Sequence, residues 1–470
     1  MLVAVAIFSV IAMAALSIDV GTLYQASAEA QRAADAGALA AARYISMSGV
    51  TGNTSLAPSW QQACGGSSSP ATLIATAVAQ QNTIAGSSNS TVTVTYSTAD
   101  ATGSGSADCS TLTNAFAANP LVTVQVKQSG LPTYFSRIWS RTGGSASATA
   151  TAEAFNPSGA GSYAVLPRCV KPWIVPNYNP LHGTGCTNGC DPFVDTSSGG
   201  AIVHQGPVAS GGVIGEQFWL VPICSVDPSQ KTACASPSFR TNPTLTPPIA
   251  NFAGDSTSPG TPNLEYLPGQ APPTSTAVPT AKSGACSDVT SSTPYAEAIA
   301  GCDQTTQYQC GSTTSQSVVD VSENPGNGDT GNGVQCLTHQ GTNGSLNNLQ
   351  VSGQDTLDPF AITQTAPATY PFVIQAGTDN PLINAGVSSG NTITSSTSIA
   401  SLPIYAPGVP ISPIGTTNVT IVGFLQVFIN FVDKYGNVYV TVMNVTGCGN
   451  NPGTIYTGTS PVPVRLVESK

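Results

Sequence analysis

MLVAVAIFSVIAMAALSI (residues 1–18), DVGTLY (19–24) and QASAEAQRAADAGALAAARY (25–44) open this 470-residue chain, and everything else is organised around them. The first block carries no charge, and its only polar side chains are Ser9 and Ser17. As a helix rising about 1.5 Å per residue it spans roughly 27 Å, close to the ~30 Å hydrocarbon core of a bilayer. Asp19 ends the apolar run, because a carboxylate is costly in hydrocarbon and cheap at the interface. From Gln25 to Arg43 the helix propensity stays high while the hydrophobicity falls: alanine dominates, interspersed with Glu29, Arg32, Asp35 and Arg43. The pattern predicts one continuous helix, a membrane anchor running into a stalk.

The stalk carries a second pattern. Ala26, Ala30, Ala34, Ala38 and Ala42 recur at every fourth position, with Ala33, Gly37 and Ala41 in the adjacent row. Small residues at this spacing let a second helix approach closely. Ala26, Ala30, Ala34, Gly37 and Ala38 are therefore candidates for packing against another subunit. The competing use of the same face is to cover the chain's own folded domain.

The run Asp19-Val-Gly21-x-Leu-Tyr followed by Ala-Glu-Ala-Gln31-Arg-Ala-Ala34-Asp35-Ala-Gly-Ala38-Leu39-Ala resembles the N-terminal region of TadG-like proteins of bacterial Flp (Tad) pilus assembly. The signature positions are Asp19, Gly21, Gln31, Ala34, Asp35, Ala38 and Leu39. The resemblance covers about the first tenth of the chain. It implies a single-pass protein of the bacterial inner membrane, whose partners are the lipid bilayer and pilus-assembly or pilin-like subunits met through the stalk helix. Two other readings of the segment fit less well. A cleaved signal peptide wants a basic n-region and a shorter apolar core, although Ala26-Ser-Ala28 offers a small-x-small site. A type IV prepilin wants a Glu inside the apolar run, and none is there.

Composition bounds the remainder. Charged residues make up 8% of the chain against a usual ~25%, while Gly (47) and Pro (36) are raised, so Ser, Thr and Asn supply the polarity. That mixture suits extracytoplasmic, β-rich, loop-rich architecture. A formal charge of −10 with no Lys/Arg run argues against a nucleic-acid partner. All 12 cysteines lie beyond the anchor, which suits an oxidising compartment and disulfides. Cys64 with Cys109, Cys224 with Cys234, and Cys286 with Cys302 are local pairing candidates, with connectivity left open.

The predicted fold is α+β: an N-terminal transmembrane helix with a helical stalk (1–45), a small α+β module (46–156), and a β-rich, disulfide-containing ectodomain (157–470) with a Pro-rich loop at 242–282. In the module, Ser69-Pro70 opens a helix that runs to Asn82. Thr91–Tyr96 and Leu121–Lys127 alternate as half-buried strands, and Ser145–Phe155 alternates Ala with polar residues. Pro132–Trp139 reads as a short aromatic helix or turn. In the ectodomain, Gln217–Val221, Pro371–Gln375 and Ser398–Tyr405 read as strands. Val419–Val432 and Val438–Val445, joined by Asp433-Lys-Tyr-Gly-Asn437, read as a buried hairpin at the centre of the core. Ser322–Gly333 is Asn/Gly/Asp-rich and reads as irregular.

The search for chemistry assigns no catalytic, cofactor-binding or metal residue. Gly386-Val-Ser388-Ser-Gly390 matches G-x-S-x-G, but a Thr-rich stretch follows it and all three histidines (His182, His204, His339) precede it, against the order of that fold. His182, Cys186 and Cys190 are spaced four apart, yet the intervening glycines make this a loop whose cysteines are better spent in disulfides. Asp195-Thr-Ser-Ser-Gly and Asp320-Val-Ser-Glu-Asn each miss the second serine of the metal motif found in the von Willebrand A-type domain of some TadG-like proteins. Asp320, Glu323, Asn324, Asn327, Asp329 and Asn332 offer oxygen ligands for Ca²⁺, against the simpler reading of Asx/Gly turns solvated by their own side chains. The expected function is a non-enzymatic, membrane-anchored scaffold or interaction protein of pilus assembly. The alternative is a cell-surface or periplasmic adhesin-like binding protein that shares only the anchor.

Overall fold

The computed structural model describes residues 2–49, 51, 58–98, 105–117, 119–132, 143–156, 163–182, 191–197, 200–222, 263–269, 286, 289, 294–302, 308, 317–320, 327–339, 353–358, 372–406, 416–432, 437–448, 451–458 and 462–467. Two compact units emerge: Met1–Ile45 with Gln61–Phe155 and Val464–Lys470, and Ser46–Trp60 with Asn156–Pro463. A division drawn along the sequence at 45/46 and 156/157 differs from this one. The anchor helix shares a unit with the small module, and the C-terminal residues return to it.

In the first unit, helix α1 (Leu2–Met47) is unbroken over 46 residues. Helix α2 (Pro70–Gln81) starts with proline in its first turn, where the missing N–H costs nothing. Strands β1 (Thr91–Thr98), β2 (Pro120–Leu131) and β3 (Gly144–Ala154) pair antiparallel, and a short C-terminal strand, Val464–Val467, adds to the far side of β3. Alternation puts Val122, Val124 and Val126 of β2 and Ala146, Ala150 and Ala152 of β3 among the buried residues. Beneath β1, Tyr96 meets Phe116 edge-to-face with centroids 6.2 Å apart, and the Cys64–Cys109 disulfide closes the adjoining loop. The aromatic segment Pro132–Trp139 lies, apart from Pro132, outside the described residues.

The second unit is built on a closed six-stranded barrel. Its strands are β4 (Trp173–Pro176), β5 (Gln217–Pro222), β6 (Asn263–Pro268), β7 (Ile399–Tyr405), β8 (Ile421–Val432) and β9 (Val438–Gly447), in the order β7-β8-β9-β5-β6-β4. The hairpin β8–β9 is buried on both faces. Closure comes from two parallel pairings, β5 with β6 and β4 with β7. One face of the strands supplies the large core, including Trp173, Phe218, Tyr266, Leu402, Leu425 and Val440. On another face Trp219, Phe431 and Tyr439 form an aromatic cluster with centroids 4.9–5.3 Å apart.

Three expectations are corrected here. The stretch 322–333 is not irregular throughout: helix α4 occupies Asn327–Leu337. Its glycines disfavour a helix by roughly 1 kcal/mol each, but Gly333 sits against helix α3 (Pro294–Ala300), where a Cβ would come 2.9 Å from Ile299 Cβ and 3.0 Å from the Ala296 carbonyl. Tertiary packing overrides propensity. Cys286 pairs with Cys336 on α4, and Cys302 pairs with Cys169, so the proximity of Cys286 and Cys302 in sequence does not decide their partners. The Pro-rich loop 242–282 contains barrel strand β6, whose Leu264 and Tyr266 are fully buried. Six residues of alternating apolar character are diluted there by the surrounding prolines. Cys224 and Cys234 lie outside the described residues.

Candidate functional site: the anchor helix and its seat

Helix α1 changes character at one point along its length. Val3, Ile7, Val10, Ile11, Met13, Leu16, Ile18, Val20 and Tyr24 are all exposed. From Ala26 onward one face is buried: Ala30, Ala33, Ala34, Ala38, Ala41 and Ala42 are at 0% exposure and Ala26 at 2%. An exposed apolar surface of that extent is unstable in water and at rest in hydrocarbon. Tyr24, aromatic with a polar tip, stands at the changeover, where interfacial aromatics belong. Among the described residues this is the one helix long and apolar enough to cross a membrane.

The buried row is seated in the first unit itself. A Cβ on Gly37 would lie 2.9 Å from the Ala75 carbonyl, 3.1 Å from Ala79 Cβ and 3.4 Å from Val124 Cγ1. Gly37 is thus a point of close approach of α1 to α2 and β2. The candidate packing residues Ala26, Ala30, Ala34, Gly37 and Ala38 are all buried. Of the two uses open to this face, it serves as the inside of its own unit. The polar positions fasten the seat: Gln31 Nε2 donates to Asp35 Oδ1 at 2.8 Å and to the Thr149 carbonyl on β3 at 3.4 Å, and the Ala85 amide donates to Glu29 Oε2 at 2.7 Å.

The remaining signature positions divide by environment. Asp19 is buried at 3% exposure, and its carbonyl accepts from the Thr22 hydroxyl at 2.9 Å. Gly21 is exposed, with open space around it. Asp35 and Leu39 are half-buried. The outward stripe of the stalk is Gln25, Ser27, Ala28, Gln31 and Arg32, all exposed.

The motifs weighed for chemistry separate as well. Gly386-Val-Ser-Ser-Gly390 follows a short 3₁₀ turn, Pro381–Ala385, and leads into a two-residue strand, Thr392–Ile393, so the strand–turn–helix setting of a nucleophile elbow is not present around it. Of the oxygen-rich stretch, residues 321–326 lie outside the described residues, Asp320 ends the strand Ser317–Asp320, and Asn327, Asp329 and Asn332 are helical. Cys186 and Cys190 also lie outside them. Among the described residues no group of three or more His, Cys, Asp or Glu is arranged to hold a metal.

Sequence reasoning missed a cluster in the second unit. His182 Nε2 lies 2.7 Å from Glu216 Oε1, and His204 Nε2 lies 2.8 Å from Asp191 Oδ2. The two imidazoles stack with centroids 4.0 Å apart and planes 13° apart. Glu216 is 3% exposed, and its other oxygen accepts from Asn179 Nδ2 at 3.0 Å. The hydrogen bond to Glu216 raises the pKa of His182 above its usual value, while burial raises that of Glu216. No spacing rule could have found these four residues, because the barrel edge brings them together.

The class of protein defined by this geometry is a membrane-anchored α+β protein. A family model described as "Putative Flp pilus-assembly TadE/G-like" (Tad) matches residues 1–43, the anchor and the start of its seat. Comparison with curated proteins and with solved structures gives no match.

Proposed function

We propose that the chain is a non-enzymatic, membrane-anchored component of Flp/Tad-type pilus assembly. In this reading residues up to Ile18 sit in the bacterial inner membrane, and both folded units stand on the extracytoplasmic side as a scaffold. The observation that carries it is the changeover on α1, where the segment matching the pilus-assembly family is largely exposed and apolar up to Ile18 and seated in the chain's own fold from Ala26. Disulfides such as Cys64–Cys109 support the extracytoplasmic placement. With the Ala row covered, contact with pilin-like or sister subunits falls to the apolar span and to the stripe of Gln25, Ala28 and Arg32.

A second reading has its own support. The family match ends at residue 43, so most of the chain shows no likeness to a pilus component. On that reading the protein is an adhesin-like binding protein using a shared anchor. One experiment addresses both: protease treatment of spheroplasts, with surface pili counted in cells lacking the chain. Digestion of both units together with loss of pili supports the assembly role. Digestion with normal pili moves the assignment to the binding protein, and full protection overturns the topology common to both.

A further inference from the structure

We propose that His182, His204, Asp191 and Glu216 form a pH-operated clasp, which holds the loop segments bearing both histidines against the barrel in acid and loosens them as pH rises. The fixed side of the clasp is Glu216. It stands immediately before strand β5, its carbonyl accepts from the Val442 amide of β9 at 2.8 Å, and the neighbouring Gly215 amide donates to the Val442 carbonyl at 2.8 Å. The movable side is held to it by side chains and a few backbone bonds. The Asn179 amide donates to the Asp191 carbonyl at 2.8 Å, the Asp191 amide to the His182 carbonyl at 3.1 Å, and the Val213 amide to the His204 carbonyl at 3.0 Å.

The charge arithmetic sets the direction. Among the described residues, the ionisable groups acting on one another here are two carboxylates and two imidazoles. With both rings neutral and both acids ionised, the cluster carries two uncompensated negative charges, one of them on the buried Glu216. With the His182 ring protonated, its Nε2–H⁺ faces a Glu216 carboxylate oxygen at 2.7 Å and the buried charge is compensated. Burying an unpaired carboxylate is expensive, so the closed clasp favours the protonated His182 ring.

Linkage then fixes the sign. His182 has a folded pKa raised above 6.5, chiefly by the Glu216 hydrogen bond. Its contribution is complete below 6.5 and is lost as pH climbs through the raised value. The clasp is therefore tighter in acid. A compartment outside the cytoplasm that follows external pH would operate it.

The test is amide hydrogen exchange on the full chain in detergent micelles at about pH 6 and about pH 8, corrected for intrinsic exchange. The amides of Asn179, Asp191 and Val213 should be severalfold better protected at the lower pH. Val442 in the barrel should not follow them. Glu216→Gln keeps the shape and removes the charge, so it should markedly weaken the pH dependence. An unchanged dependence in Glu216→Gln, or none in the wild type, overturns the clasp. If Glu216→Gln loses Val442 protection and so fails to fold, ring proton titration of the wild type decides instead. His182 titrating above the ordinary histidine range supports the clasp, and His182 titrating at or below that range overturns it. His339, whose pKa burial lowers, serves as the internal reference.

Discussion

The carbonyl oxygen of Gly200 occupies the space in which a side chain on Gly447 would begin. Gly200 has φ +85°, in the left-handed region, and follows the strand Val194–Asp195 that pairs with Ala201–Ile202. This small hairpin lies across the end of β9, and Val194 Cγ1 would be only 2.9 Å from the same added Cβ. Two backbones in direct contact leave no atom free to yield. Gly447→Ala should therefore destabilise the second unit by about 1–3 kcal/mol, the usual cost of overpacking a fitted site. Urea unfolding of the full chain in micelles checks this, and an unchanged midpoint would show that the hairpin does not press on β9.

The Ala row on α1 makes a prediction about interpretation as well as stability. Ala34 is at 0% exposure inside the first unit, whereas Gln31, one turn away, is exposed. Both tolerate leucine equally as regards helix propensity. Ala34→Leu should nonetheless cost about 1–3 kcal/mol through overpacking, and Gln31→Leu, which loses only exposed hydrogen bonds, about 1 kcal/mol or less. The readout is thermal unfolding together with steady-state level in membranes. A cell that loses pili with Ala34→Leu would then be reporting a damaged scaffold and not a lost partner contact. Equal stability of the two variants would mean that α1 is not seated as described.

Much of this architecture can be read from the sequence because its signals are local. Pro70 and the following apolar face mark α2, strict alternation marks β1 and β2, and the doubly apolar runs with an Asp-Lys-Tyr-Gly-Asn turn mark β8 and β9. Cys64 and Cys109 flank that same local module and do pair. What escapes is decided by distant partners. Helix α4 exists because Gly333 and Cys336 dock on residues near 286–300, and β6 because the barrel needs Leu264 and Tyr266. The stacked His182 and His204 come together only after β5 has placed Glu216.

The C-terminal strand is a fourth such case, and it is open to direct test. Val464–Val467 pairs with β3 across 312 residues of chain, with Arg465 opposite Glu153. The Arg465 Nε and Nη2 atoms both lie 2.8 Å from Glu153 Oε2, and the guanidinium stands 5.7 Å from the centre of the Phe155 ring. The Glu153 side chain is 8% exposed, so removing its partner leaves a largely buried carboxylate unpaired. Arg465→Ala should cost the first unit about 1–3 kcal/mol, and truncation after Pro463 should cost more by also removing the strand. Pulse proteolysis in urea measures both. A truncation as stable as the full chain would reduce this strand to an ornament of the sheet.

Three disulfides are defined, and none of the described cysteines is free: Cys64–Cys109, Cys169–Cys302 and Cys286–Cys336. The first closes 45 residues of chain and the third closes 50, and loop-closure entropy for rings of that size corresponds to about 4 kcal/mol each. The two differ in what else holds their neighbourhood. The first unit has its antiparallel sheet and the seat of α1, whereas α4 carries three glycines and depends on its contact with α3. Replacing Cys286 and Cys336 by serine together should therefore release α4, while the same change at Cys64 and Cys109 should lower the unfolding midpoint but leave β1–β3 formed. Hydrogen exchange of the Val334–Thr338 bond and of the β1–β2 ladder distinguishes the two outcomes. Thiol titration of the unfolded wild-type protein without reductant supplies the control. It should find the six cysteines of these bridges unreactive, and reactivity of all twelve cysteines would place the folded units in a reducing compartment and remove the extracytoplasmic assignment.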